Sequence, residues 1–179
     1  MENAQVAAKN RILLYGVTGA GKSTLAARLS ARTGIPWHHV DDLTWQPGWI
    51  PTPVDEQRRR IAAICAGEQW ILDTAYSAWL DLVLPRVELV VALDLPRALT
   101  LARLLRRTAA RIVDGKPVCN GNRETLRNAL SRDSIIAWHF RTFSAKQRQM
   151  RAWEVDRDGP DVIRLTSPRA VEEFLARTP

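Results

Sequence analysis

The sequence predicts an α/β protein in which a five-stranded parallel sheet is flanked by helices. Five short apolar runs alternate with stretches of helical period, and a glycine-rich loop joins the first run to the first helical stretch. Such alternation is typical of parallel strands, because each strand needs a crossover connection to bring the chain back to the starting end of the sheet. At 179 residues, with 46% hydrophobic and 25% charged residues, the chain fits one globular domain over residues 1–179.

The elements are assigned in chain order from these patterns. Strands are predicted at residues 11–15, 36–40, 69–72, 88–93 and 162–165. Helices are predicted at residues 22–33, 54–66, 79–84, 97–113 and 169–177. A further helical stretch runs from 123 to about 150, and its spaced apolar residues include Leu126, Leu130 and Ile135. Two segments rich in turn-forming residues, 41–53 and 114–122, are interpreted as mobile connections.

The loop after the first strand has the pattern of a phosphate-binding loop, G-x-x-x-x-G-K-[ST], in Gly16-Val17-Thr18-Gly19-Ala20-Gly21-Lys22-Ser23. Its glycines let backbone N–H groups turn toward phosphate oxygens at the start of the next helix. Lysine at this point reaches the β- and γ-phosphates, and the serine hydroxyl is a ligand for Mg²⁺. We therefore expect a P-loop NTPase fold that binds ATP with Mg²⁺. The residues expected to contact ATP are Gly16, Thr18, Gly19, Ala20, Gly21, Lys22, Ser23 and Thr24.

Acidic residues directly follow three of the predicted strands. In a parallel sheet these strand ends meet at the ligand-binding edge. Asp73 is predicted to hold Mg²⁺ together with Ser23, and Asp41 is predicted to act as the base for a hydroxyl acceptor. Asp42 and Asp94 occupy similar positions, but an Asp at a strand end often only caps the next helix.

Arginines are expected to meet the charge of a transferring phosphoryl group. Arg103 and Arg107 lie four residues apart on a predicted helix and so share one face, with Arg106 and Arg111 close to it. The region of about 107–125 is therefore predicted to form a small helical lid over ATP. A solvated basic face is the alternative interpretation.

The aromatic and histidine residues near Asp41 leave several interpretations open. Trp45 and Trp49 flank a Pro-Gly turn, and they form either a wall for a ring-bearing acceptor or ordinary packing. His38 and His39 lack a third metal ligand at suitable spacing. His139, on the long helical stretch, is interpreted as structural.

The net charge of +7 is concentrated in one part of the chain. Residues 97–157 hold 14 Lys and Arg against five Asp and Glu, so this segment carries +9 and the rest carries −2. Nucleic acid would match such a segment, as would ATP with a phosphorylated substrate or a solvated helix surface. Nucleic acid is not favoured, because the sequence has no helix-turn-helix, zinc or aromatic RNA-binding signature.

The sequence predicts a cytoplasmic protein. Residues 1–10 lack the apolar core of a signal peptide, and the longest apolar run, Leu89–Leu93, is too short to cross a membrane. Cys65 and Cys119 have no C-x-x-C or metal-binding spacing, which fits a reducing compartment. No feature indicates an oligomeric state.

Together these segments resemble adenylate-kinase-like P-loop kinases, and more narrowly the bacterial DNA topology modulation proteins. The resemblance covers nearly the whole chain. The segments that carry it, besides the phosphate-binding loop, are His39-Val40-Asp41-Asp42-Leu43-Thr44-Trp45, Pro47-Gly48-Trp49, Trp70-Ile71-Leu72-Asp73, Tyr76-Ser77, Leu93-Asp94-Leu95-Pro96, Val162-Ile163-Arg164-Leu165 and Ser167-Pro168-Arg169.

The resemblance implies roles for several residues. Asp73 stands where adenylate kinases carry an Asp near Mg²⁺, Arg103 where an arginine stacks on the base, and Arg107 where an arginine contacts phosphates. Residues 166–169 would lie near the adenine. The chain departs from that pattern in 73–77, which lacks the arginine that grips a nucleoside monophosphate. A phosphate-bearing acceptor without that clamp would bind poorly.

The sequence thus predicts an ATP-dependent kinase of a small molecule, with Lys22, Asp41, Arg103 and Arg107 as its catalytic residues. Two other functions stay open. One is a nucleotide-dependent regulator that binds DNA through the basic segment, and the other is NTP hydrolysis with water as the acceptor. The acceptor and the choice between ATP and GTP also stay open.

Overall fold

The computed structural model describes residues 9–129, 131 and 134–178. The strands in this part of the chain are β1 (Arg11–Gly16), β2 (Trp37–His38), β3 (Trp45–Gln46), β4 (Ile50–Pro51), β5 (Trp70–Leu72), β6 (Leu89–Leu93) and β7 (Asp161–Leu165). The helices are α1 (Lys22–Thr33), α2 (Val40–Thr44), α3 (Val54–Cys65), α4 (Leu80–Val83), α5 (Arg97–Asp114), α6 (Leu126–Ala129), α7 (Ile135–Val155) and α8 (Pro168–Arg177). Residues 1–8, part of the segment considered for a signal peptide, lie outside the described residues, as does Leu130 of the predicted helical stretch.

The central sheet has the strand order β2-β5-β1-β6-β7, and every neighbouring pair in it is parallel. The strand that leads into the phosphate-binding loop therefore lies at the centre. Gly16 pairs with Leu93, and His38 pairs with Leu72, so the strands end at the same edge. The sheet and its flanking helices confirm the predicted α/β fold class.

Two apolar layers enclose the sheet, and β1 supplies side chains to both. Ile12 and Leu14 join one cluster, while Leu13 and Tyr15 join the other, as the two-residue period of a strand requires. Helices α1 and α8 pack on the first face. Helix α3 and the segment around Trp79 pack on the second. Burial on both faces explains why these strands are continuous apolar runs.

The strand predicted at 36–40 is shorter than expected, because Val40 already begins helix α2. Its backbone N–H donates a hydrogen bond of 3.0 Å to Oδ1 of Asp73, which draws the chain away from the sheet. The segment 41–53, predicted as a connection, contains most of α2 and a small antiparallel hairpin of β3 and β4.

The sequence predicted one continuous helical stretch over 123–150, and this prediction is wrong. Helix α6 ends at Ala129, and α7 begins at Ile135 and continues to Val155. Ser134 sets this boundary as an N-cap, since its hydroxyl accepts a hydrogen bond of 3.2 Å from the N–H of Ala137. None of the helices in the described ranges is both long and apolar enough to cross a membrane.

Candidate active site

The phosphate-binding loop connects the end of β1 to the first residue of α1, Lys22. Gly19 and Gly21 have φ angles of 84° and 95°, which side-chain-bearing residues rarely adopt. Gly19 is also confined from outside the loop. A Cβ at this position would lie 2.2 Å from the carbonyl oxygen of Thr100 on α5. Helix α5 therefore packs directly on the loop, and only glycine fits between them.

Lys22 points into the loop that precedes it. Its Nζ donates a hydrogen bond of 3.0 Å to the carbonyl oxygen of Val17. Burial lowers its pKa to about 8, although the carboxylates of Asp41 and Asp73 oppose that shift. The ammonium group is thus held where the loop would bind a phosphate, between two acidic side chains.

Ser23 and Asp73, the two residues predicted to hold Mg²⁺, contact each other. The Ser23 hydroxyl donates a hydrogen bond of 2.6 Å to Oδ2 of Asp73, whose residue is 3% exposed. Since the other carboxylate oxygen is held by the Val40 N–H, the orientation of Asp73 is fixed. His39 bridges this group to Asp42, with its Nε2 3.6 Å from Asp73 and its Nδ1 3.1 Å from Asp42.

These oxygens fit Mg²⁺ in their chemistry. Mg²⁺ is usually held through one or two oxygen ligands of the protein together with water and substrate phosphates. A hydroxyl and a carboxylate, side by side at the start of α1, supply such a set. No group of three His, Cys, Asp or Glu side chains able to hold a metal occurs in the described part of the chain.

Asp41 faces the phosphate-binding loop from the start of α2. Its Oδ1 accepts a hydrogen bond of 2.9 Å from the hydroxyl of Tyr76. Burial, and then the charge of Asp41, raise the pKa of Tyr76 well above its usual value, so that this phenol stays a donor. Asp41 also acts electrostatically on Lys22 and Arg107. The predicted base and the predicted phosphate contacts thus belong to one cluster.

The predicted arginines of α5 lie along one side of this cluster. The guanidinium of Arg103 comes within 3.9 Å of the position that a Cβ would take on Gly21. The charge of Asp41 acts on Arg107. Loss of water around its guanidinium and repulsion from Arg111 lower its pKa, although part of the side chain is exposed. Arg111 donates a 2.8 Å hydrogen bond to Glu124, and Arg106 is exposed.

The connection after α5 is docked on the β3–β4 hairpin. The Asn120 side-chain amide donates hydrogen bonds of 2.7 Å to the carbonyl oxygens of Asp42 and Trp45. The Asn122 side chain is 4% exposed; it accepts a 2.8 Å hydrogen bond from the Trp49 N–H and donates one of 2.9 Å to the Gln46 carbonyl oxygen. We call these two side chains the asparagine clasp. It ties residues 120–122 to α2 and to the β3–β4 hairpin.

The two tryptophans of the hairpin pack on each other and on the connection. The rings of Trp45 and Trp49 meet edge to face with centroids 6.0 Å apart. The indole N–H of Trp49 donates a hydrogen bond of 3.1 Å to the carbonyl oxygen of Arg123.

An open cleft lies on the other side of α2, beside β2. It is lined by Trp37, His38, His39, Asp42 and Leu43.

Some candidate residues are engaged elsewhere. Asp94 is buried and accepts hydrogen bonds from Gln147 at 2.9 Å and Arg164 at 3.0 Å, so it joins α7 to β7 and lies outside the cluster. His139 is buried, with its Nε2 3.0 Å from the Thr100 hydroxyl. The arginines of residues 58–60 pair with Asp81 or Glu56.

The sequence reasoning missed Lys146, on α7. Its ammonium group lies 4.5 Å from the ring centroid of Tyr15, is repelled by Lys22 and is attracted by Asp41. The composition offered one indication, the rarity of lysine. The chain has 22 arginines and four lysines, and Lys146 is the one lysine of α7. Unlike the arginine guanidinium, a lysine ammonium changes its pKa readily on burial.

No protein-family model matches the chain. An uncharacterized protein of Bacillus subtilis, YqaC, is 33% identical over 103 residues. That alignment covers 55% of this chain and 57% of YqaC, so the chain matches little more than half the length of this curated relative.

Several solved kinase structures share the fold. Shikimate kinase from Acinetobacter baumannii, solved with shikimate, superposes with a TM-score of 0.57 at 16% identity, over 98% of this chain and 93% of that one. A gluconokinase from Sinorhizobium meliloti gives 0.54 at 16% identity, over 95% and 89%. Shikimate kinase from Aquifex aeolicus gives 0.53 at 18%, over 93% and 94%. At these identities the likeness establishes that this chain shares their α/β fold and nothing finer.

Proposed function

We propose that this protein is a Mg-ATP-dependent phosphotransferase that phosphorylates a hydroxyl group of a small molecule. The observation that carries the proposal is the position of Asp41, which accepts a hydrogen bond from Tyr76 and faces Lys22 of the phosphate-binding loop. A protein that only bound a nucleotide would not need a carboxylate directed at the loop lysine. A phosphotransferase needs one to receive the acceptor proton.

We assign ATP binding to the loop amides, Lys22, Ser23 and Thr24, with Arg103 close to Gly21. Ser23 and Asp73 would hold Mg²⁺, which when bound neutralises charge that develops on the phosphate oxygens. We assign Arg107 to the phosphates as well. The region of about 107–125 would act as the lid, and the 1–179 chain would work as one domain.

The transfer step can be written with the residues of this cluster. The acceptor hydroxyl gives its proton to Oδ2 of Asp41, while Tyr76 holds Oδ1. The acceptor oxygen forms a bond to the γ-phosphorus, and the bond from that phosphorus to the β–γ bridging oxygen breaks. The products are the phosphorylated acceptor and ADP. Lys22 stays protonated and neutralises the transferred group.

The acceptor class follows from the charges around Asp41. An acceptor phosphate needs an arginine clamp, and the arginines at 58–60 are already paired with carboxylates. An uncharged or carboxylate-bearing alcohol fits better than a nucleoside monophosphate. The solved structures that share the fold are named as a gluconokinase and a shikimate kinase, and these names indicate acceptors of the same class, carboxylate-bearing alcohols. We also propose a cytoplasmic location and a relation to the DNA topology modulation proteins.

Nucleic-acid binding is the weaker proposal. The basic segment 97–157 gives Arg103 and Arg107 to the cluster, and Arg111 and Arg151 face carboxylates. Fewer positive charges are therefore available to a nucleic acid than the composition suggested. A steep fall of DNA affinity with rising salt would favour it.

The first experiment is ADP release from Mg-ATP by the purified protein across a panel of acceptors. The panel contains sugar acids, cyclic hydroxy acids, nucleosides, nucleoside monophosphates and duplex DNA, with Lys22→Ala as the blank. Stimulation by one alcohol, absent in Lys22→Ala, is the expected result. Stimulation by DNA alone would overturn the proposal in favour of the regulator, and acceptor-independent release would favour a simple NTPase.

A further inference from the structure

Lys146 reaches the phosphate-binding loop from an element that the P-loop motif does not include. It lies on α7, which packs on β1, and its side chain is half-buried. Its Nζ sits 4.5 Å from the centroid of the Tyr15 ring, one residue before Gly16. The negative face of an aromatic ring holds a cation in position without neutralising it. The charge of Lys146 is therefore still available to a ligand.

The charged groups that act on Lys146 belong to the cluster around the phosphate-binding loop. Lys22 is the group that acts on it most strongly, and it repels; Asp41 attracts it less. Within the described ranges Lys146 forms no ion pair. Asp94, which contacts the neighbouring residue Gln147 of the same helix, is already bound to Gln147 and Arg164.

Two partly desolvated ammonium groups that repel each other are unfavourable in the free protein. An anion between them would relieve this repulsion. Burial and the charge of Lys22 lower the pKa of Lys146 to about 7. A bound anion would stabilise the ammonium form of Lys146 at this position. Because Lys146 rests on the ring of Tyr15, which directly precedes the first residue of the phosphate-binding loop, that charge belongs on the ATP side of the cluster rather than on the acceptor.

We propose that Lys146 is a second catalytic lysine, whose ammonium group binds the γ-phosphoryl group of ATP together with Lys22. This inference rests on the proposed function and deepens it. The assignment makes α7 part of the nucleotide site. It also explains why one lysine stands on a helix that otherwise uses arginine for its positive charges.

The test is the difference in affinity between Mg-ATP and Mg-ADP, measured by calorimetry, because only ATP carries the γ-phosphoryl group. Lys146→Met should weaken Mg-ATP binding by roughly tenfold to a hundredfold, the value of one charged hydrogen bond, and leave Mg-ADP binding within about twofold. Arg148→Met removes a positive charge from an exposed position on the same helix and should change neither affinity. Lys146→Arg should recover part of the ATP preference.

Thermal unfolding separates a catalytic role from a structural one. Because Lys146→Met removes a cation that repels Lys22, its midpoint should equal or exceed that of the wild-type protein. A lower midpoint with equal loss of ATP and ADP binding would make Lys146 structural and overturn the inference, as would an unchanged ratio of the two affinities. Lys146→Gln serves if the methionine variant does not fold. Wild-type protein that binds Mg-ATP no better than Lys22→Ala would instead refute the proposed function itself.

Discussion

The carbonyl oxygen of Thr100 lies 2.2 Å from the position that a Cβ would occupy on Gly19. Helix α5, which carries Arg103 and Arg107, therefore rests on the phosphate-binding loop without a side chain between them. The hydroxyl of the same threonine meets Nε2 of His139, 3.0 Å away on α7. The loop, α5 and α7 thus form one contact series, and a shift of either helix changes the shape of the loop.

Gly19→Ala should disrupt both the loop and its contact with α5. The methyl group meets the Thr100 backbone, and the φ of 84° strains the alanine. We expect a loss of about 2–4 kcal/mol in the free energy of unfolding, from overpacking and left-handed strain together, and loss of ATP binding. Chemical denaturation and calorimetry measure the two effects. Gly34→Ala is the matched control: its φ is 74° and nothing lies within 4 Å, so it should cost only about 1–2 kcal/mol and keep ATP binding.

Asp41→Asn should slow phosphoryl transfer and spare ATP binding. The amide keeps the size of the side chain but cannot take the acceptor proton, so kcat should fall by roughly 10²–10⁴. The Kd for Mg-ATP should stay within about threefold, since Lys22 and the loop amides remain. The matched control is Asp42→Asn, at an exposed neighbouring carboxylate, which should have a much smaller effect on kcat. If Asp41→Asn loses ATP binding instead, Asp41 organises the site and is not its base.

Asn122→Ala should release the asparagine clasp. The buried amide connects the Trp49 N–H and the Gln46 carbonyl to the connection after α5, and its loss leaves these groups unpaired. We expect about 1–3 kcal/mol lower stability and faster hydrogen exchange in segments 45–51 and 115–123. Turnover should also fall, because residues 115–123, part of the proposed lid, are released from the hairpin. Asn128→Ala, at an exposed asparagine on α6, is the control. Unchanged exchange in both segments would show that the clasp does not hold the connection closed.

Local patterns predicted the parts of the site that are contiguous in sequence. The loop 16–23 is one uninterrupted motif, and Asp73 was found because strand ends share one edge of a parallel sheet. The asparagine clasp was not found, since its partners are backbone carbonyl and N–H groups more than 70 residues away, which carry no side-chain pattern. Lys146 was not found either. Its role depends on where α7 packs, and the predicted helical stretch gave no register relative to Tyr15.

The boundary errors have a similar cause. The apolar run at 36–40 predicted a strand, but the N–H of Val40 donates a hydrogen bond to Asp73, 33 residues later in the chain. The chain therefore leaves the sheet at Val40 and begins α2. A long-range hydrogen bond of this kind overrides the local preference of a β-branched residue. The one helix expected over 123–150 was interrupted by Ser134, whose capping role depends on the backbone conformation adopted there.

The stability of the wild-type protein should rise between pH 7 and pH 9. In the unfolded chain Lys146 keeps its usual pKa of 10.5, but in the fold the value is about 7. Between these values the unfolded state binds more protons, so the free energy of unfolding increases with pH, by up to about 1.4 kcal/mol per pH unit. Near pH 10, where the lysines of the unfolded chain also begin to lose their protons, the trend should reverse. Burial raises the pKa of Cys65 to about 11 and of Cys119 to about 12, so the folded state then binds more protons than the unfolded state.

Lys146→Met isolates the contribution of this one group, because Lys22 and both cysteines remain in the variant. Its free energy of unfolding should rise less steeply between pH 7 and pH 9 than that of the wild-type protein. Urea denaturation at pH 7, 8 and 9 measures the two slopes, with Arg148→Met expected to follow the wild-type curve. Parallel curves for Lys146→Met and wild type would mean that the Lys146 ammonium is fully solvated in the fold. The repulsion between Lys146 and Lys22, which an ATP phosphate is proposed to relieve, would then be absent.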